Sequence, residues 1–215
     1  MIYILGAGAM ARETLDIYEA LGRAAEVGGF IVETPPAGNP EIRGKKILAA
    51  SIIEELPEDS LFIGAIGTPV RRRWLEEIES RGFEFDIAVH PFSSIGSDVR
   101  LDRGTIVCAG AVLTCDIEVG KHVIVNVGST ISHDCRIGSY TTIAPGVNLA
   151  GRATVGEGCW IGIAAAILEK RSVGSGCFVG AGSIVSKDIE DNSFAVGMPA
   201  RVLRKLGEDD WKDLI

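Results

Sequence analysis

A chain of 215 residues with 47% hydrophobic and 23% charged residues has an ordinary globular composition and room for one large domain or two small ones. Its net charge of −8, with Arg71–Arg73 as the longest basic run, excludes a general nucleic-acid or anionic-membrane binder. Met1 leads straight into a strand-like segment, no apolar run approaches the ~18 residues a membrane span needs, and the five cysteines include no CxxC, so a cytoplasmic protein with reduced thiols and no membrane insertion is expected.

The first 88 residues alternate strand-like and helix-like segments. "IYIL" (2–5) reads as a strand and 10–23 as a helix, with Leu15, Ile17, Tyr18 and Leu21 on one face. Residues 27–32 read as a second strand, 51–56 as a short helix, 61–66 as a buried strand, and 70–82 as a helix ending at Gly82. This βαβαβ order implies a Rossmann-like α/β domain over 1–88 with a small parallel sheet. Gly6, Gly8 and Ala11 fit G-x-G-x-x-A between a strand and a helix, and Glu33 closes the second strand. That is a dinucleotide fingerprint. A dehydrogenase, however, needs more than one mononucleotide unit and a second domain with hydride-transfer groups. The same loop can hold any diphosphate at a helix N-terminus.

From Val89 the period becomes six. Val, Ile or Leu occupies all 17 positions from Val89 to Val185 at that step. At the chain's hydrophobic rate this has a chance of roughly a few in a million, so the repeat is structural. Four residues after each aliphatic the chain prefers small or apolar types, among them Ala111, Ser129, Cys135, Cys159 and Cys177; Arg171 is the exception. Hexads of this kind specify a parallel β-helix over 89–215, three hexads to a coil of 18, with 186–215 as a C-terminal cap ending in a helix. Gly120, Gly138, Gly156 and Gly174, spaced by 18, are expected at turns with positive φ, and Gly162 and Gly180 recur on another edge. The inward cysteines read as core packing.

His133, two residues past the inward Ile131, should project outward at a corner, with Asp134 beside it. Neutral imidazole takes a proton at neutral pH, and a carboxylate fixes its tautomer, so the pair is a candidate general base. Adjacent residues on an extended chain tend to point apart, so the pairing of Asp134 with His133 rests on the family resemblance given next more than on geometry. His122 and His90 read as non-catalytic.

The hexads with "SHDCRIG", "APGVNLAG" and "VGMPARVLRK", preceded by "ILGAGAMARE", "GGFIVE" and "AIGTPVRRRW", resemble the PglD/NeuD-type sugar acetyltransferases of bacterial surface-polysaccharide biosynthesis. The resemblance covers nearly the whole chain. It implies a left-handed β-helix, a homotrimer, and acetyl transfer from acetyl-coenzyme A to an amino sugar, with N-acetylation of a nucleotide-linked 4-amino sugar foremost. O-acetylation of a sialic-acid-type sugar and a non-catalytic β-helix scaffold are the alternatives. His133 and Asp134 would be catalytic, with the oxyanion met by backbone N–H groups near Gly151. Gly6, Gly8, Glu33, Arg72 and Asn126 would meet the nucleotide sugar. Thr142, Gly151, Gly162, Gly180, Arg201, Arg204 and Lys205 would meet coenzyme A, and no metal is implied. Relatives often carry a second histidine where this chain has Thr142, and paired aspartates where it has Val32 and Glu33.

Overall fold

A computed structural model describes residues 1–207 and 210–214, so parts of the expected C-terminal helix lie outside the described residues. The N-terminal elements are β1 (Ile2–Leu5), α1 (Ala9–Ala20), β2 (Val27–Val32), β3 (Glu41–Ile42), β4 (Lys45–Ala49), β5 (Leu61–Gly64), α2 (Arg72–Ser80) and β6 (Glu84–Phe85). The sheet order is β3-β4-β2-β1-β5-β6, and every pair except β3–β4 is parallel. Strands this apolar suit a sheet covered on both faces. Tyr18 and Leu15 pack on one side of it, Leu75 and Ile78 on the other.

Three local expectations change. The β3–β4 hairpin escapes a periodicity reading because its strands are short, charged and partly exposed; Arg43 and Gly44 turn it with φ of 50° and 74°. Residues 50–55 form a 3₁₀ rather than an α-helix, and a 3₁₀ turn at Pro69–Arg71 precedes α2. The first helix stops at Ala20, which leaves Leu21 exposed while Leu15, Ile17 and Tyr18 are buried.

Each of the 17 periodic aliphatics is the second residue of a two-residue strand, beginning with Ala88–Val89 and ending with Ile184–Val185. From Ala88–Val89 to Ala166–Ile167 each strand pairs in parallel with the strand 18 residues on, building the three sheets of a left-handed β-helix. From Val107 to Val185 all these aliphatics are buried, with Ala111, Ser129, Cys135, Cys159, Cys177 and the other small residues completing the interior. Val89, Ile95 and Leu101 are less covered because no coil lies beneath them.

The turns correct the glycine reading. Left-handed residues do recur at 18, but in the columns Asp98–Asp116–Asp134–Arg152–Lys170, Gly104–His122–Tyr140–Gly158–Gly176 and Gly110–Gly128–Gly146–Ala164–Gly182. Gly120, Gly138, Gly156 and Gly174 are not among them. A Cβ on Gly138 would lie 2.5 Å from Glu157 N, and one on Gly120 2.7 Å from Ser139 N, so these glycines let successive coils approach. Gly162 and Gly180 obey the same constraint: a Cβ there would lie 2.6 Å from Ala181 N and Val196 Cγ1 respectively.

The faces differ in what they show outward. The first carries Ile106, Ile124 and Thr142, all buried, and higher up Trp160, Phe178 and Phe194. The second carries Val112, Thr130, Asn148 and Ala166, flanked at its corners by the exposed Val127, Ile163 and Leu168. The third carries Arg100, Glu118, Arg136, Thr154 and Ser172. Strand Ser193–Val196 extends the first sheet and pairs antiparallel with Arg201–Lys205; Trp211 packs on Phe178 with ring centroids 6.1 Å apart, closing the top as the broken period predicts.

Candidate active site

His133 stands at the corner between the second and third faces, about half exposed. Its Nδ1 lies 2.7 Å from an Asp134 carboxylate oxygen. The contact exists because Asp134 is left-handed, with φ of 58°, which folds its side chain back toward its neighbour. Asp tolerates this region better than most residues. The corner is held by Asp134 N donating to Cys115 O at 3.2 Å and Arg152 N donating to His133 O at 2.8 Å.

An ionised carboxylate only accepts, so Nδ1 carries the proton and Nε2 keeps its lone pair. The hydrogen bond from His133, aided by the Arg152 guanidinium at 3.7 Å, holds the Asp134 carboxyl below the usual carboxylate range. Asp134 therefore stays ionised beside the ring.

Gly151 sits one coil above. A Cβ there would lie 2.6 Å from both Cε1 and Nε2 of His133, so the ring occupies space that only glycine leaves. The Gly151 N–H donates to no group among the described residues. A basic nitrogen and an unengaged backbone donor thus share one edge, the pairing that acyl transfer requires.

The other expected site residues are distributed as follows. Asn126, Gly162 and Gly180 share a column on the corner between the first and second faces, so the second face separates them from His133. Asn126 accepts from Val127 N at 2.7 Å. Thr142 is buried, accepting from Arg71 Nη1 at 2.8 Å and donating to Gly67 O at 2.6 Å; its hydroxyl is fully used inside the chain and not directed at a donor site. On the terminal hairpin, Arg204 pairs with Asp210 at 2.8 Å and Lys205 donates to Asp191 O at 2.8 Å. Arg201 meets no carboxylate among the described residues.

In the α/β domain Gly6, with φ of 103°, and Gly8, at the start of α1, form the loop after β1. Glu33 is exposed just beyond β2, in a cavity of about 410 Å³ shared with Val70, Arg73, Trp74 and Glu77. Arg73 therefore borders Glu33. Arg72 lies at the seam with the β-helix, bonded to Glu76 at 2.7 Å and 4.9 Å over the Tyr140 ring.

Two residues at that seam were missed. Arg71 is buried, and its two terminal nitrogens bond the carbonyls of Gly67, Thr68, His122, Tyr140 and Thr141, besides Thr142 Oγ1, at 2.7–3.2 Å. Burial pushes its pKa down to about 9. His122, read as having no special neighbour, is also buried; it lies 3.1 Å from Glu79 Oε1 and stacks on Tyr140 with centroids 5.2 Å apart. Burial lowers its pKa to about 4. Nothing in "VRRRW" distinguishes a buried arginine from its exposed neighbours.

Among the described residues no cluster of His, Cys, Asp and Glu is arranged to hold a metal, and no helix is long and apolar enough to cross a membrane.

Residues 1–78 match the PglD N-terminal domain. No curated protein sequence matches the chain. Among solved structures, the acetyltransferase domain of PglB from Neisseria gonorrhoeae, in complex with acetyl coenzyme A, is 28% identical with a TM-score of 0.86, covering 94% of this chain and 98% of that one. PerB from Caulobacter crescentus, in complex with CoA and GDP-perosamine, is 28% identical with a TM-score of 0.87, covering 94% and 97%. WeeI from Acinetobacter baumannii is 25% identical with a TM-score of 0.86, covering 94% and 99%. The N-terminal third thus matches the PglD N-terminal domain, and along nearly its whole length the chain is similar in structure to these acetyltransferases.

Proposed function

We propose that this protein is an acetyl-coenzyme A-dependent acetyltransferase that N-acetylates a nucleotide-linked amino sugar. The observation that carries the reading is the His133–Asp134 pair, with Nε2 beside the Gly151 backbone on an open edge of the β-helix. His133 Nε2 takes the proton from the acceptor amine as its nitrogen attacks the acetyl carbonyl. The Gly151 N–H meets the oxygen as charge develops on it, and coenzyme A thiolate leaves. A positioned base of this kind is worth ~10²–10⁴-fold.

Complexes of similar proteins with acetyl coenzyme A, and with CoA and GDP-perosamine, support the donor and acceptor classes. Gly6, Gly8 and Glu33 form the nucleotide side, with Arg73 beside Glu33. Arg201 supplies a cation for the donor's phosphates. A homotrimer packed through the second face accounts for the split site: a threefold axis facing Val112 and Ala166 sets one copy's His133 edge against the next copy's Asn126–Gly162–Gly180 edge. The exposed Val127, Ile163 and Leu168 at those edges fit such burial. The cytoplasm, where acetyl-coenzyme A and nucleotide sugars occur, is the fitting compartment.

The test is thiol release from acetyl-coenzyme A with GDP-, UDP- and dTDP-linked amino sugars and free sialic acid, beside His133→Ala. Release with one nucleotide amino sugar, lost by orders of magnitude in the variant, is expected. Equal activity in the variant would remove His133 from the chemistry.

A further inference from the structure

Arg71 has an unusual environment for an arginine. It is only 2% exposed, no carboxylate among the described residues pairs with it, and its Nε has no partner. A buried cation without a counterion is costly, and carbonyl dipoles offset that cost only while all of them stay in place.

Its acceptors come from two groups. Gly67 O and Thr68 O belong to the loop after β5, with Ile66 O at the margin at 3.4 Å. That loop backs the glycine loop of β1: a Cβ on Gly6 would lie 3.0 Å from Ile66 Cγ1 and 3.2 Å from Ala65 O. The other acceptors, His122 O, Tyr140 O and Thr141 O, bracket one coil of the β-helix. His122 and Tyr140 are one 18-residue step apart, and His133 lies on the coil between them. Thr142 reinforces the join, taking a hydrogen bond from Arg71 and giving one to Gly67 O.

We propose that Arg71 is a positioning residue that fixes the nucleotide-sugar loop in register with the coil bearing His133, so that a tethered sugar is delivered to the acetyl-transfer edge. This rests on the proposed acetyl transfer. A planar guanidinium reaching both groups at once defines distance and angle together, which an ammonium cannot do. Buried in a seam lined by Glu79, Lys121 and His122, it works as a strut between rigid parts.

The experiment compares wild type, Arg71→Lys and Thr142→Val with two acceptors: the nucleotide-linked amino sugar and the same amino sugar without its nucleotide. Nucleoside diphosphate affinity is measured by calorimetry, and folding is checked by circular dichroism. A displacement near 1 Å costs on the order of 10²-fold in rate. In Arg71→Lys, kcat with the tethered acceptor should fall by about that factor. Diphosphate affinity and kcat with the free sugar should stay within about twofold, and Thr142→Val should show a smaller loss with the same selectivity. Equal losses with both acceptors, or an unchanged tethered rate, would overturn the proposal while leaving acetyl transfer intact. A wild type inert toward every nucleotide-linked amino sugar would overturn the functional reading and the proposal together.

Discussion

Replacing Gly151 by alanine tests the base without touching it. The new methyl would start 2.6 Å from His133 Cε1 and Nε2, and ordinary contact begins near 3.4 Å, so the ring must retreat by about 0.8 Å. Gly151 is not left-handed, so the backbone accepts alanine and the fold should be spared. The half-exposed ring can swing outward, but doing so gives up the 2.7 Å bond to Asp134 and carries Nε2 away from the Gly151 N–H. Misplacement on this scale costs on the order of 10²-fold, about 2.7 kcal/mol of barrier. Steady-state thiol release should show kcat reduced by that factor, and the melting temperature should move by no more than a few degrees. A variant that keeps wild-type kcat would show that the position of His133 against Gly151 is irrelevant to the chemistry.

Other outcomes follow from single contacts. His122 is held near a pKa of about 4 in the folded state against 6.5 unfolded, so the unfolded chain binds the extra proton between those values. Stability should fall as pH drops from 6.5 to 4, by up to roughly 3 kcal/mol. His122→Asn, which tolerates the left-handed position, should flatten that slope in urea melts. Cys115 is the most accessible of the five cysteines, and its hydrogen bond with Asp116 raises its pKa. One thiol should therefore react slowly in the native protein, faster as pH rises, and all five after denaturation. Labelling it one coil below His133 with a bulky reagent should block turnover. Ile163→Glu places a charge at a corner of the second face and should reduce the proposed trimer to monomers in light scattering, with loss of activity. Arg201→Ala should raise the KM for acetyl-coenzyme A more than Arg204→Ala, because Arg204 already pairs with Asp210.

The β-helix was legible because each coil makes the same demand on the same position. An inward aliphatic every six residues has no alternative, and all 17 fell on strands. His133 was legible for the opposite reason, as the outward corner residue whose chemistry stacking does not need. Its contact with Asp134 was not legible, since it depends on one dihedral, the 58° φ of Asp134. Spacing also misread Gly120 and Gly138: a recurrence of 18 shows that glycine is needed, not whether for its φ or for its missing Cβ. Arg71 and His122 were hidden more deeply. Their burial arises only where two domains with different periods meet, and no local pattern encodes that docking.

The outward residues of the three faces carry the last step of the reasoning. All three faces share one interior, so only their exteriors could diverge. The first face became apolar, with Ile106, Ile124, Trp160 and Phe178, and is covered by the α/β domain below and the terminal hairpin and Trp211 above. The third kept charges that pair along the stack, such as Arg136 with Glu118 at 3.4 Å, and needs no cover. The second is intermediate: Val112 is exposed between apolar corners, while Thr130 donates to Asn148 at 2.7 Å. A face too apolar for open solvent and too polar for a core is what a subunit interface requires. The two corners that border it are the corners that hold His133 with Gly151 and Asn126 with Gly162. On the proposed function, acetyl transfer at this edge and association through this face are therefore one design, because neither corner alone holds both the proposed base and the residues proposed to meet the donor.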